Sequence, residues 1–277
     1  MSHALIGLGR TAIAATSLVV ATQTGNVAPD TFSEIISRCG SSETCLLGAS
    51  ANEPIGGTRL SAIWRFGSTA PKVIRACWEN DGLDDRQAQQ WVKEQITQKA
   101  WSKVSALKFV GWDRCPDNLR PADYVVRIYI TKGAMRPATK ALGMDLNGLR
   151  SGVVLNFGSI ADLAAHCPSR IGSHPFWDRR QLCIRALATH EFGHVIGLVH
   201  EQNLDDAPEC IYGKSGSKPD TPLTQYDFES VMNYCSKTPL NGGNLSPQDI
   251  KAAQLLYCSF DEPMCESLST RLSSAAE

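Results

Sequence analysis

The sequence has no surplus of charge of either sign. Its 277 residues carry 27 Lys and Arg against 28 Asp and Glu, a formal net charge of -1. That balance excludes a protein that gathers nucleic acid or an anionic membrane on a basic surface. It also has no apolar run of the ~20 residues that a membrane helix needs, so no transmembrane segment is expected. No CxxC pair occurs, which counts against a zinc ribbon or a thioredoxin-like dithiol. No internal repeat is visible. With 43% hydrophobic and 20% charged residues, wholesale disorder is excluded too, and the length suits one large domain or two small ones.

What is present begins with ten cysteines: Cys39, Cys45, Cys77, Cys115, Cys167, Cys183, Cys210, Cys235, Cys258 and Cys265. This density is below the roughly 8–10% that marks a small disulfide scaffold, but an even set suits an oxidised, exported protein better than a cytosolic one. The apolar stretch 11–21, preceded by Arg10, has the character of a cleaved signal peptide, directing the chain to the extracellular space or a periplasm. A free N-terminal arm is the other reading. Residues 22–68 are rich in Gly, Ser, Thr, Asn and Pro and read as a prosegment or surface arm. Residues 261–277 read as a C-terminal tail, frayed after Cys265.

Between these ends the periodicity predicts a strand over 72–78 and a helix over 84–102, with Asp84 or Asp85 as N-cap. Strands follow over 107–112, 125–130 and 153–157. A second helix, 180–198, is apolar on most sides and should be buried. Residues 202–228 are dense in Asp, Pro, Gly, Ser and Lys and read as loop. A last helix over 246–256 has Ser246 as N-cap, Pro247 at its first position and Asp249 at its third.

The buried helix carries HEFGHVIGLVHEQ, with His190, Glu191, His194, Gly197, His200 and Glu201. At about 100° per residue, His190 and His194 stand on one helical face and can share a metal ion, while Glu191 stands beside it without ligating. His200 could not join them on a continued helix, which would carry it roughly 240° around and about 9 Å along the axis from His194. Gly197 permits the reversal, because glycine accepts positive φ and commonly ends helices. Three neutral imidazoles with one open tetrahedral position describe a catalytic zinc site.

HExxHxxGxxH is the signature of the metzincin zinc endopeptidases. The chain resembles that family, and Glu201 after the third histidine resembles its astacin-like branch. The downstream stretch Tyr226-Asp227-Phe228-Glu229-Ser230-Val231-Met232-Asn233-Tyr234 is similar to the astacin methionine turn. Residues 245–257 resemble, more weakly, the C-terminal helix of that branch. The resemblance implies an α+β catalytic domain over 69–260, with a twisted mixed sheet and two long helices above and an irregular lower part with a C-terminal helix. It implies one zinc ion on His190, His194 and His200, and Glu191 as general base. Met232 becomes an apolar floor under the metal and Tyr234 a displaceable further ligand that assists the oxyanion; simple core packing is the other reading of that pair.

The resemblance further implies that Glu201 anchors the N-terminus of a matured enzyme, against the alternative of a charge exposed beyond the helix. Ser37-Arg38-Cys39-Gly40 faintly resembles a matrixin cysteine switch, although a local Cys39–Cys45 disulfide explains both thiols. An extended peptide or protein substrate would pair with a sheet edge, for which 138–143 is the candidate, if it is not an ordinary loop. The expected function is secreted zinc-dependent hydrolysis of peptide bonds, by a chain for which a monomer is favoured. A catalytically silent metal-containing binding module and a zinc hydrolase of non-peptide amides are the alternatives.

Overall fold

The computed structural model describes residues 55–67, 70–80, 85–120, 123–163, 167, 176–205, 207–211, 213–235 and 239–257, all within one compact unit, Ser41–Glu277. The expected signal segment, Asp84, the Cys39–Cys45 pair and its switch motif, and the tail 261–277 lie outside the described residues.

In chain order the regular elements are β1 (Ile55–Thr58), β2 (Val73–Trp78), α1 (Arg86–Glu94), α2 (Trp101–Val104), β3 (Lys108–Arg114), β4 (Val125–Thr131), β5 (Ala138–Thr139), β6 (Val153–Asn156), α3 (Ile160–Leu163), α4 (Phe176–Val195), β7 (Thr221–Gln225) and α5 (Pro247–Leu256). Five strands form a mixed sheet in the order β3-β2-β4-β6-β5, and β1 pairs with β7 in a second, two-stranded sheet. In the larger sheet every pairing is parallel except that of β5 with β6. The class is α+β, as the resemblance implies. β4, VVRIYIT, is rich in β-branched residues and largely buried, as a central parallel strand should be. β5 lies at the free edge of the sheet, where the substrate edge was expected.

The core joins the sheet to α4 through aromatic side chains. Phe192 packs edge-on against Phe109 with centroids 5.1 Å apart and stacks on Trp112 at 5.7 Å, and Trp112 in turn meets Trp78 at 6.0 Å. Such pairs prefer these offset and edge-to-face geometries. One face of α4 is thereby fixed to the sheet. Among the described residues, disulfides join Cys77 to Cys115, Cys167 to Cys183 and Cys210 to Cys235. No described helix is long and apolar enough to cross a membrane.

Three elements differ from expectation. The single helix expected over 84–102 is broken: α1 runs into a wide π-type turn at Gln95–Lys99, where Ala100 N–H reaches back to the Gln95 carbonyl, before α2 begins. The break lets Ile96, Ala100 and Trp101 all be fully buried, which one straight helical stripe would not allow, and Trp101 Nε1 donates to the Thr189 carbonyl of α4. The expected loop 202–228 contains β7, whose partner β1 lies far back in the chain. Residues 55–67 are packed into the same core as the sheet, with Ile63 and Trp64 buried.

Glu79, just after β2, ties β4 to the turn before β6. Burial alone would raise its carboxyl. Hydrogen bonds from Ser151 N–H and the Ser151 hydroxyl (both 2.9 Å) and from Arg127 Nε (2.6 Å) outweigh that and hold it below its ordinary value of 4.5. A carboxylate lowered on folding adds stability above its unfolded pKa, and the gain disappears as pH falls through the folded value. Glu79→Gln is therefore expected to flatten the loss of stability below pH 4.5, read by urea unfolding across an acidic pH series. An acid limb identical to that of the parent would remove Glu79 from this role.

Candidate metal centre and active site

α4 places His190 and His194 one turn apart, both buried, with Phe192 on the opposite side against the sheet. The helix stops where glycine allows it. Gly197 has φ +97°, its N–H donates to the His194 carbonyl, and Leu198 N–H donates to the Gly193 carbonyl. These two bonds make a Schellman ending, with Gly197 as the left-handed residue. The carbonyls freed at this end are satisfied from distant parts of the chain, since buried orphans would be costly. Trp64 Nε1 donates to Val195 O (2.7 Å), the Tyr257 hydroxyl to Ile196 O (3.0 Å) and the Thr58 hydroxyl to Gly197 O (2.6 Å). Val199 N–H then bonds Gly57 O on β1. Residues 55–67 thus help to hold the turn that returns His200 to the helix.

Each ring donates through Nδ1 to a backbone carbonyl: His190 to Val231 O (2.9 Å), His194 to Leu198 O (2.8 Å) and His200 to Ser215 O (2.9 Å). Burial pushes all three imidazoles down, His190 well below its usual range and His194 to about 3, with the neighbouring rings adding to the effect for both. The rings are neutral at physiological pH. In that state and with that Nδ1–H tautomer, every Nε2 carries a lone pair and no proton. Yet His200 Nε2 stands 3.2 Å from His190 Nε2 and 3.0 Å from His194 Nε2.

Three acceptors converging with no proton on any of the three rings to join them suit a shared cation. Two nitrogens about 2.0–2.1 Å from one tetrahedral zinc ion stand roughly 3.3 Å apart, close to the spacing found here. His190, His194 and His200 thus form a three-nitrogen site that can hold one zinc ion.

Glu191 is 3% exposed. Burial pushes its carboxyl up to about 7, against the opposing hydrogen bond from Thr139. The Thr139 hydroxyl on the edge strand β5 donates to Glu191 Oε2 at 2.7 Å. The Tyr234 hydroxyl lies 2.9 Å from His190 Nε2, and burial raises its pKa, with Glu191 adding to the rise. Met232, 1% exposed, packs against α4 at Gly193, where any added Cβ would run into the Met232 sulfur. Gly193, within the HEFGH segment, is therefore the residue that lets the methionine turn close on the helix. Glu201 is buried rather than exposed beyond the helix: its Oε2 accepts Asp227 N–H at 3.0 Å, and its own N–H donates to Met232 O.

All eight residues singled out in the sequence, His190, Glu191, His194, Gly197, His200, Glu201, Met232 and Tyr234, fall in this one region. The residues that sequence reasoning missed are Thr58, Trp64, Gly193 and Tyr257; Thr139 lies in the edge 138–143 that it named, but not its bond to Glu191. Only Gly193 carried a local signal, as the small residue between two metal-binding positions.

No protein-family model matches the chain, and no curated protein matches it. Among solved structures, it is similar to a structure of myroilysin, with 19% identity and a TM-score of 0.46, covering 74% of this chain and 99% of that one. A crystal structure of myroilysin gives 17% identity and a TM-score of 0.40 over 80% of this chain and 98% of that one. High choriolytic enzyme 1, a hatching enzyme zinc-protease from Oryzias latipes (medaka fish), gives 17% identity and a TM-score of 0.41 over 71% of this chain and 94% of that one.

Proposed function

We propose that the chain is an exported zinc endopeptidase of the astacin-like metzincin kind, hydrolysing bonds within peptides or proteins through a catalytic unit over 69–260 that rests on 55–67. One observation carries this reading: three imidazole lone pairs converge beside a buried carboxylate that takes no part in their hydrogen bonding. Zinc held there supplies Lewis-acid polarisation of a carbonyl and brings loss of a proton from water into the neutral range.

The chain's own groups do the rest. Glu191, with Oε2 held by Thr139, takes a proton from the attacking water at Oε1 and returns it to the leaving amine. One carboxyl serves both halves of that shuttle. The Tyr234 hydroxyl, which burial favours in its protonated form and which lies 2.9 Å from His190 Nε2, donates to the oxyanion as charge develops. β5 offers an extended substrate main-chain hydrogen bonds along the sheet edge, beside the base that Thr139 positions. Glu201, buried beneath the methionine turn, is the group we assign to the matured N-terminus.

The test is incubation of the purified full chain with a denatured protein and a peptide library, with and without a zinc chelator. Cleavage within the chains, lost with chelator and restored by zinc, is the expected result. Zinc binding without any cleavage would make this a silent module, and hydrolysis of small amides alone would make it a different hydrolase; either outcome overturns the proposal.

A further inference from the structure

The three ring partners are not equally secure. Leu198 O belongs to the turn that ends α4, and Val231 O belongs to a fully buried residue of the methionine turn. Ser215 O, the partner of His200, sits instead in an exposed stretch, 213–216, that contains two left-handed glycines, Gly213 (φ +58°) and Gly216 (φ +80°). Such a stretch has little of its own to fix a carbonyl against a ring. The Cys210–Cys235 disulfide anchors the chain five residues upstream of Ser215.

Asn203 supplies what the stretch lacks. Its side chain is 3% exposed and uses all its main hydrogen-bonding groups on this segment. Nδ2 donates to Ser215 O at 2.6 Å and to Ser217 O at 2.8 Å, while Oδ1 accepts Ser215 N–H at 2.8 Å. The pattern also fixes which way the amide faces, since only its oxygen can accept the Ser215 N–H. Ser215 O thereby receives two hydrogen bonds, one from Asn203 and one from His200 Nδ1.

We propose that Asn203 is the positioning residue for the third zinc ligand, holding the Ser215 carbonyl so that His200 keeps its Nδ1–H tautomer and turns Nε2 to the other two rings. This rests on the zinc reading above. It also says why an amide stands there. A carboxylate of the same size would face two carbonyl oxygens with no proton to offer, and alanine would take the Asn203 bonds from Ser215 N–H and Ser217 O and leave Ser215 O to His200 alone.

The test uses the full chain and zinc alone, with affinity read by competition against a chromophoric chelator and ligand geometry by the visible spectrum of the cobalt-loaded protein. Asn203→Ala and Asn203→Asp are expected to weaken zinc binding about 10–100-fold, the usual effect of losing a group that orients a ligand. Both should also change the cobalt spectrum and reduce the Nδ1–H tautomer of His200 in nitrogen NMR of the metal-free chain. Lys214→Ala, in the same stretch but with its ammonium directed to Asp205, should bind zinc as the parent does.

Parent-like affinity and tautomer in both Asn203 variants would overturn the proposal. So would loss of the metal-free fold in both, by circular dichroism, which would make Asn203 a structural residue only. A parent chain that binds no zinc overturns the functional reading itself, and this assignment with it; a parent that binds zinc no better than its Asn203 variants overturns this assignment alone.

Discussion

Glu191→Gln is expected to retain zinc and lose nearly all turnover. Glutamine has the size of glutamate and can still accept the Thr139 hydroxyl through its amide oxygen, so the geometry of α4 is kept. It cannot take a proton from water or carry one to the leaving amine. General acid–base catalysis by one positioned side chain contributes typically 10²–10⁴-fold, and the fall in kcat is expected to lie at or above the upper end of about 10⁴-fold, because the same carboxyl acts in both halves of the reaction. The three metal-binding nitrogens do not involve Glu191, so elemental analysis should find zinc equal to the parent. The two measurements together separate a lost base from a lost metal. A variant with parent-like kcat would remove Glu191 from its role, and one without zinc would make it a structural support of the site.

The catalytic constellation was legible in the sequence because most of it is local. His190, Glu191 and His194 are arranged by helix geometry alone, and the return of His200 follows from a single glycine whose positive φ the spacing required. Met232 and Tyr234 were legible by resemblance, and the structure puts Tyr234 beside the His190 and His200 rings and Met232 against α4 at Gly193. What holds the constellation was not legible. Thr58, Trp64 and Tyr257 close the end of α4 from 139, 131 and 61 residues away, and no periodicity reports a hydrogen bond of that span.

The same reason explains the fold differences. Residues 55–67 carry an apolar signal in Leu60, Ile63, Trp64 and Phe66 that has no regular period, and β1 within them is short and Gly-rich, IGGT, with its stability coming from β7 and from the turn after α4. The break at Gln95–Lys99 is set by tertiary packing, which overrides a sequence pattern that fits an unbroken helix.

Asp249→Ala is expected to produce a large loss of stability without touching a metal-binding residue. The sequence marks Asp249 only as the third residue of α5, and the structure does show the capping box there: Ser246 Oγ accepts Asp249 N–H, and the Asp249 carboxylate accepts Ser246 N–H at 2.9 Å. The same carboxylate also reaches the methionine turn. Oδ1 accepts the Ser230 hydroxyl at 2.6 Å, and Oδ2 accepts Val231 N–H at 2.9 Å.

One buried side chain therefore joins the start of α5 to the backbone that carries Val231 O, the partner of His190. Burial raises the Asp249 pKa while these hydrogen bonds oppose the rise. Alanine would leave two buried N–H groups and a hydroxyl without their acceptor. At about 1–3 kcal/mol for each buried donor left unsatisfied, the loss should reach roughly 3–5 kcal/mol. It should appear as a fall in unfolding free energy without zinc and a larger fall with zinc present, because zinc binding weakens as the methionine turn loosens.

Asp249→Asn tells the two linkages apart. Its amide oxygen in the place of Oδ2 keeps both backbone N–H bonds and disturbs only Ser230, so it should cost less than half as much. If denaturant unfolding shows the asparagine variant to be as unstable as the alanine one, the backbone bonds are not what Asp249 contributes, and its link to the metal centre must run through the Ser230 hydroxyl.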